Sequence, residues 1–145
     1  MAINTQKVVV GGLAAGVVNA ALGFVVFGMM LAPRFNAEMD AVMPGVSAKM
    51  NASSSAMVIT IVTAFIVGWL LTWLYAAIRP RFGPGPKTAA YAALAVWVCG
   101  FLFHEDLYMM GSVTGTTYMM ASVAALVMNL IVANVGAYLY KEEGM

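Results

Sequence analysis

The chain reads as an all-α, polytopic membrane protein, an antiparallel bundle of four transmembrane helices with both the N and C termini cytoplasmic. Three observations carry this expectation. Of 145 residues, 63% are hydrophobic and only 9% are charged, with a mean hydropathy of +0.90. A soluble domain carries about 25% charged residues, and a chain with far fewer cannot cover a water-facing surface, a difficulty that a lipid solvent removes. The seven basic and six acidic residues are placed so that four long uncharged runs remain. Aromatic residues gather where those runs end.

A spanning helix needs about 20 apolar residues at about 1.5 Å each. The run between Lys7 and Arg34 gives a span at about 8–32, and that between Lys49 and Arg79 one at about 56–78. Lys87 to Glu105 gives about 88–108, and Asp106 to Lys141 about 114–140, long enough to tilt or to project. All four belong to a single membrane domain over 1–145. Pro33 and Pro80 follow the first two spans and are expected to stop them, since proline cannot continue a helix. Thr88 is expected to N-cap the third span. Gly111, Ser112, Thr114 and Gly115 form the turn before the fourth. Val18-Asn19-Ala20 loosely fits a signal-peptidase site, but the apolar run continues well past Ala20, so the first span is read as uncleaved.

Trp69, Trp73, Tyr75, Tyr91, Tyr138 and Tyr140 are expected in an aromatic belt at one interface, and Tyr108 and Tyr118 at the other. The loop Arg79-Pro-Arg-Phe-Gly-Pro-Gly-Pro-Lys87 is positive and the His104-Glu105-Asp106 turn negative. Positive loops stay in the cytoplasm, which puts Lys7 and Lys141 there and the 33–55 loop outside. Phe35, Met39, Val42 and Met43 recur at helical spacing, so that loop is expected to contain a short interfacial helix.

Each span also carries small or polar residues on one face. These are Gly12, Gly16, Asn19 and Gly23; then Thr60, Ala64, Gly68 and Thr72; then Ala89, Ala93, Val96 and Gly100; and last Ser122, Ala125, Asn129, Ala133 and Gly136. Helices in lipid associate through such close backbone approach and through interhelical hydrogen bonds, because lipid offers no hydrophobic drive. Asn19 and Asn129 both lie about 18 Å from the Lys7–Lys141 end, near the bilayer midplane. Antiparallel spans bring them side by side, as helix-packing amides rather than a transport site, and Asn134 is read the same way.

Chemistry is sparse. The net charge of +1 gives no reason to expect nucleic acid, and the single cysteine, Cys99, excludes an intrachain disulfide and a cysteine metal cluster. No phosphate-binding glycine loop, His-Glu-x-x-His or Gly-x-Ser-x-Gly occurs, and no carboxylate or lysine stands inside a span as a pump would need. Asn51-Ala-Ser53 fits a glycosylation sequon of the kind chance supplies. His104 is the one candidate ligand for a metal or pigment. Thirteen methionines, most of them toward the His104 end, add soft thioethers suited to Cu(I). The plainer reading is a solvated turn for His104 and adaptable packing for the methionines. Arg79, Arg81 and Lys87 are candidates for anionic lipid headgroups.

The stretch Trp73-Leu-Tyr-Ala-Ala-Ile-Arg-Pro-Arg-Phe-Gly-Pro-Gly-Pro-Lys-Thr-Ala89, with the overall layout, resembles small uncharacterised four-helix bacterial inner-membrane proteins of about this length. The resemblance implies a multi-pass protein of the bacterial inner (plasma) membrane. It carries over no site residue and does not include the His104 turn or the methionines. The expected function is non-enzymatic: an accessory or scaffold subunit that packs against other membrane subunits or against itself. The alternative is a small transporter or carrier that binds copper or a pigment through His104 and methionines.

Overall fold

The computed structural model describes residues 3–140, and all regular structure among them is helical. Lys141, used above for orientation, lies outside these residues. Helix α1 (Thr5–Gly23) runs through a π-helical segment, Phe24–Leu31, into α2 (Ala32–Val42); then come α3 (Val46–Asn51), α4 (Ser54–Phe82), α5 (Pro86–Phe103), α6 (Asp106–Met109) and α7 (Gly115–Leu139). Four helical stretches are long and apolar enough to cross a membrane: Thr5–Val42, Ser54–Phe82, Pro86–Met109 and Gly115–Leu139. Only 17% of the most apolar window of α4 is buried within the protein. Most of its side chains therefore face outward, as a lipid solvent permits.

The helix ends correct the expectations drawn from proline and threonine. Pro33 does not stop the first helix. The backbone ladder changes from the π to the α period at Leu31–Ala32, which puts Pro33 in the first turn of α2, where a missing N–H costs least. Pro80 lies inside α4, and the helix ends only at Gly83, whose N–H reaches Arg79 O at 2.8 Å. Thr88 is not an N-cap, because α5 begins earlier, at Pro86, with Gly85 before it. Its buried hydroxyl instead donates to Gly83 O at 2.7 Å, taking up a carbonyl left over at the α4 terminus. Gly83 (φ +81°) and Gly85 (φ +122°) hold backbone conformations that favour glycine. The 33–55 segment contains the expected helix as α2, followed by α3. Ser47, just inside α3, donates to Asp40 of α2 from both its N–H and its hydroxyl.

α1 packs on α4 and α7, α5 packs on α7 and α4, and α4 touches α7, so α1 and α5 take opposite corners. Residue numbers rise along α1 as they fall along α4: Gly12 meets Trp69, Gly16 meets Phe65 and Gly68, and Asn19 meets Ala64. A Cβ on Gly12 would stand 2.9 Å from Trp69 Cα, and one on Gly16 2.9 Å from Phe65 Cα. Gly11 is also close-packed, with a Cβ there 3.0 Å from Thr72 Cγ2 and 3.1 Å from Gly136 O, although it lies outside the expected stripe.

These close approaches run from mid-span toward one end. The core cluster includes Val8, Leu71, Tyr75, Ala89, Val132 and Tyr140, all toward the end that carries Asn4 and Arg79. Tyr75 and Tyr140 are therefore core rather than interfacial belt: they are 2% and 1% exposed, meet edge to face at 6.2 Å, and accept hydrogen bonds from Gly85 N and Asn4 N. At the His104 end the helices are looser. A Cβ on Gly100 would meet nothing within 4 Å, and one on Gly28 only Phe24 of the same helix. That half is held by discrete polar ties. Trp97 Nε1 donates to Ser122 O at 2.8 Å, and Tyr118 Oη to Phe101 O at 2.6 Å.

Asn19 ties α1 to α4 through its side-chain amide, which donates to Ala64 O at 3.1 Å, and it does not pair with Asn129. Replacing Asn19 by Leu is expected to cost about 1 kcal/mol, the usual worth of one interhelical hydrogen bond in a membrane. Reversible unfolding in detergent, compared with the parent, measures it.

Candidate functional site

Among the described residues, a cluster of charged and polar side chains forms where α2 meets the start of α7, at the His104 end. α2 follows directly from the long first helix, so its orientation is set by the π segment beneath it. Its sequence is polar, with Arg34, Asn36, Glu38 and Asp40 in just under two turns, and it continues beyond the apolar stretch. Arg34 and Glu38 are four apart and so share a face. That face lies against Thr114 and Thr117, the N-cap and third residue of α7.

Glu38 closes the N-terminus of α7. Its Oε2 accepts from Thr114 N at 2.8 Å, and its Oε1 accepts from the hydroxyls of Thr117 (2.6 Å) and Thr114 (3.0 Å). Arg34 Nε lies 3.2 Å from the same Oε1 and 2.6 Å from Thr117 Oγ1. Nη1 reaches Met120 Sδ at 3.7 Å. Thr117 is fully buried, Glu38 is mostly covered with 18% of its side chain exposed, and Arg34 is half-exposed at 45%. Partial burial pushes the Glu38 carboxyl up, but the bonds from Thr117, from the Thr114 N–H and hydroxyl, and from Arg34 outweigh it and hold the group at about 2, against an ordinary 4.5. The positive end of the α7 dipole acts in the same direction. With four hydrogen bonds to one carboxylate, the arrangement is a clamp between α2 and α7. Asp40 is likewise held below the ordinary aspartate range by the Ser47 hydroxyl and N–H.

The residues singled out in the sequence are placed elsewhere. His104 is exposed at the C-terminus of α5, where its N–H bonds Gly100 O at 3.1 Å. Among the described residues no group of three or more His, Cys, Asp and Glu side chains is arranged to hold a metal ion. Met109 and Met110 are 75% and 74% exposed, while Met128 is buried. Asn134 donates to Leu130 O of its own helix at 2.8 Å and lines a shallow groove of about 690 Å³ with Ile131, Val135 and Tyr138. Asn129 is half-buried on α7, without a hydrogen bond to Asn19. Arg79 departs from the headgroup expectation: it is only 8% exposed and lies over the Tyr140 ring at 5.7 Å. Arg81 and Lys87 are exposed.

The Arg34–Glu38–Thr114–Thr117 clamp has no counterpart in the sequence reading. Two local signals pointed toward it: an Arg–Glu pair at helical spacing, and a Thr-x-x-Thr at the start of an apolar run, where the first threonine serves as N-cap. What joins them is a contact between residues remote in the chain, which periodicity does not report. Comparison with protein-family models, curated proteins and solved structures gives no match for this chain.

Proposed function

We propose that the chain is a non-enzymatic accessory or scaffold subunit of a larger complex in the bacterial inner membrane, built as an antiparallel bundle with both termini cytoplasmic. The observation that carries this reading is the uneven packing. Backbone meets backbone along α1 and α4 from mid-span toward the Arg79 end. At the other end the helices stand apart, α2 is clamped over α7, and Met29, Met30, Met109, Met110, Met119 and Met120 are exposed. Methionine-rich apolar surface suits adaptable contact with partners. The orientation rests on the positive Arg79–Lys87 loop against the negative Glu105–Asp106 turn.

The test is gentle detergent extraction of native membranes, followed by mass spectrometry of what migrates with the chain and by metal and absorption scans. Co-migrating larger subunits are the expected result. A lone monomer without associated protein overturns the reading, and a bound metal or pigment moves the function onto this chain. His104→Ala is expected to leave stability within about 0.5 kcal/mol of the parent, as surface substitutions generally do, and to leave the complex assembled; loss of assembly or of a bound metal would assign His104 a role.

A further inference from the structure

Beyond the accessory reading, and independent of it, we propose that the cleft between the π segment and α7 is a binding site for a single glycerophospholipid, with one acyl chain in the cleft and the phosphodiester on Arg34. The cleft has a volume of about 760 Å³ and is lined by Val26, Met30 and Leu31 on one side and Met119, Met120 and Ala124 on the other. Flexible thioethers and branched aliphatics suit a conformationally variable hydrocarbon chain. One lining residue joins the cleft to a charge: Met120, whose sulfur accepts from Arg34 Nη1.

The state of Arg34 selects the occupant. A guanidinium has five N–H groups. Here Nε–H is directed at Glu38 and Thr117, and one Nη1–H at Met120, leaving three with no acceptor among the described residues. Glu38 does not take them up: its contact with Arg34 is through Nε alone, at 3.2 Å, and neither Nη reaches the carboxylate. The side chain is half-exposed yet pinned at Nε, so its free edge is preorganised. A planar fork of this kind matches a phosphate bidentately. Position agrees with chemistry, since Arg34 stands three residues past Leu31, where the apolar segment gives way to polar α2. A headgroup there and a chain running back along Met120 and Ala124 follow the natural direction of a lipid entering the bilayer.

The test uses the full chain in phosphatidylethanolamine vesicles doped with phosphatidylglycerol that carries a photoactivatable group partway along one acyl chain. Crosslinks mapped by mass spectrometry are expected to concentrate on the peptides holding Met30 and Met119–Met120. Arg34→Gln is expected to reduce that labelling about tenfold, the worth of a charge-assisted hydrogen bond. Ala124→Phe fills the cleft while leaving Arg34 in place, and is expected to remove the labelling without lowering the melting temperature. It keeps the test decisive if Arg34→Gln does not fold. A photoactivatable diacylglycerol, which lacks the phosphate, is expected to label as weakly as Arg34→Gln does with the phospholipid. Labelling spread evenly over the lipid-facing helices, labelling unchanged in Ala124→Phe, or equal labelling by diacylglycerol each overturns the proposal.

Discussion

Replacing Gly68 by alanine is expected to destabilise the bundle by about 1–3 kcal/mol, the range found when a methyl group is forced into a packed core. The added Cβ would stand 2.7 Å from Ala15 C and 2.7 Å from Gly16 Cα. These are backbone atoms, so no side chain can swing aside, and relief requires α1 and α4 to separate. Separation in turn breaks the neighbouring approaches of Gly12 to Trp69 and of Gly11 to Thr72 and Gly136. The hydrophobic effect does not resist it, because lipid fills the gap. The lost free energy is therefore van der Waals contact along the whole seam. Gly100→Ala is the matched control. It lies on a small-residue face of α5, but its Cβ meets open space, so the only expected effect is a gain of up to about 1 kcal/mol from helix propensity. Unfolding measured for both variants in one detergent separates a packing cost from a general dislike of substitution. Equal effects of the two would mean that the α1–α4 approach contributes nothing.

That pair also marks how far the sequence reaches. The stripes of small residues locate faces suited to close approach, and at Gly12, Gly16, Gly68 and Gly136 the helices use them. At Thr60 and Gly100 they do not: Thr60 points outward and satisfies its hydroxyl on Ala56 O at 2.9 Å, and Gly100 has no neighbour. Spacing identifies a face but not its partner, and these two lie toward the end where the helices stand apart. The spans themselves were legible because charge is expelled from hydrocarbon, which leaves gaps in the sequence that need no tertiary information. Their ends were less so. At Pro33, Pro80 and Thr88 the rules for isolated helices do not apply, because a π-to-α change and the glycines at 83 and 85 decide where these helices run and stop. Arg79 belongs to the positive loop in sequence, yet Tyr140, distant in sequence, supplies a ring for it to lie over.

Removing the Glu38 carboxylate is expected to release α2 from α7 without unfolding the spans. In Glu38→Ala the Thr114 N–H, two threonine hydroxyls and Arg34 Nε all lose an acceptor. Hydrogen bonds to a charged group contribute about 1.5–3 kcal/mol where water is excluded and less where it competes. Glu38 keeps 18% of its side chain in contact with solvent and Arg34 keeps 45%, so the lower part of that range applies. Because α2 buries no residue fully, little apolar packing stands behind the clamp, and a loss of this size is enough to populate the undocked state. Acid is expected to do the same to the parent protein. The carboxyl is held at about 2 when docked, against 4.5 when free, so docking is fully stabilised above pH 4.5 and the stabilisation is lost as the pH falls from there toward 2. Glu38→Gln keeps the oxygen acceptor but removes the Glu38 titration, and its docking is expected to be weaker than the parent's at neutral pH and less sensitive to pH across the same window, with Asp40 on Ser47 accounting for what remains. Hydrogen exchange of the α2 amides, followed beside those of α4 as an internal reference, reads all three cases. Faster exchange confined to α2 in Glu38→Ala and in acid is the expected pattern. Protection of α2 that is unchanged by either treatment would mean that the π segment alone orients it, and that the four polar side chains at its junction with α7 are held in place rather than holding.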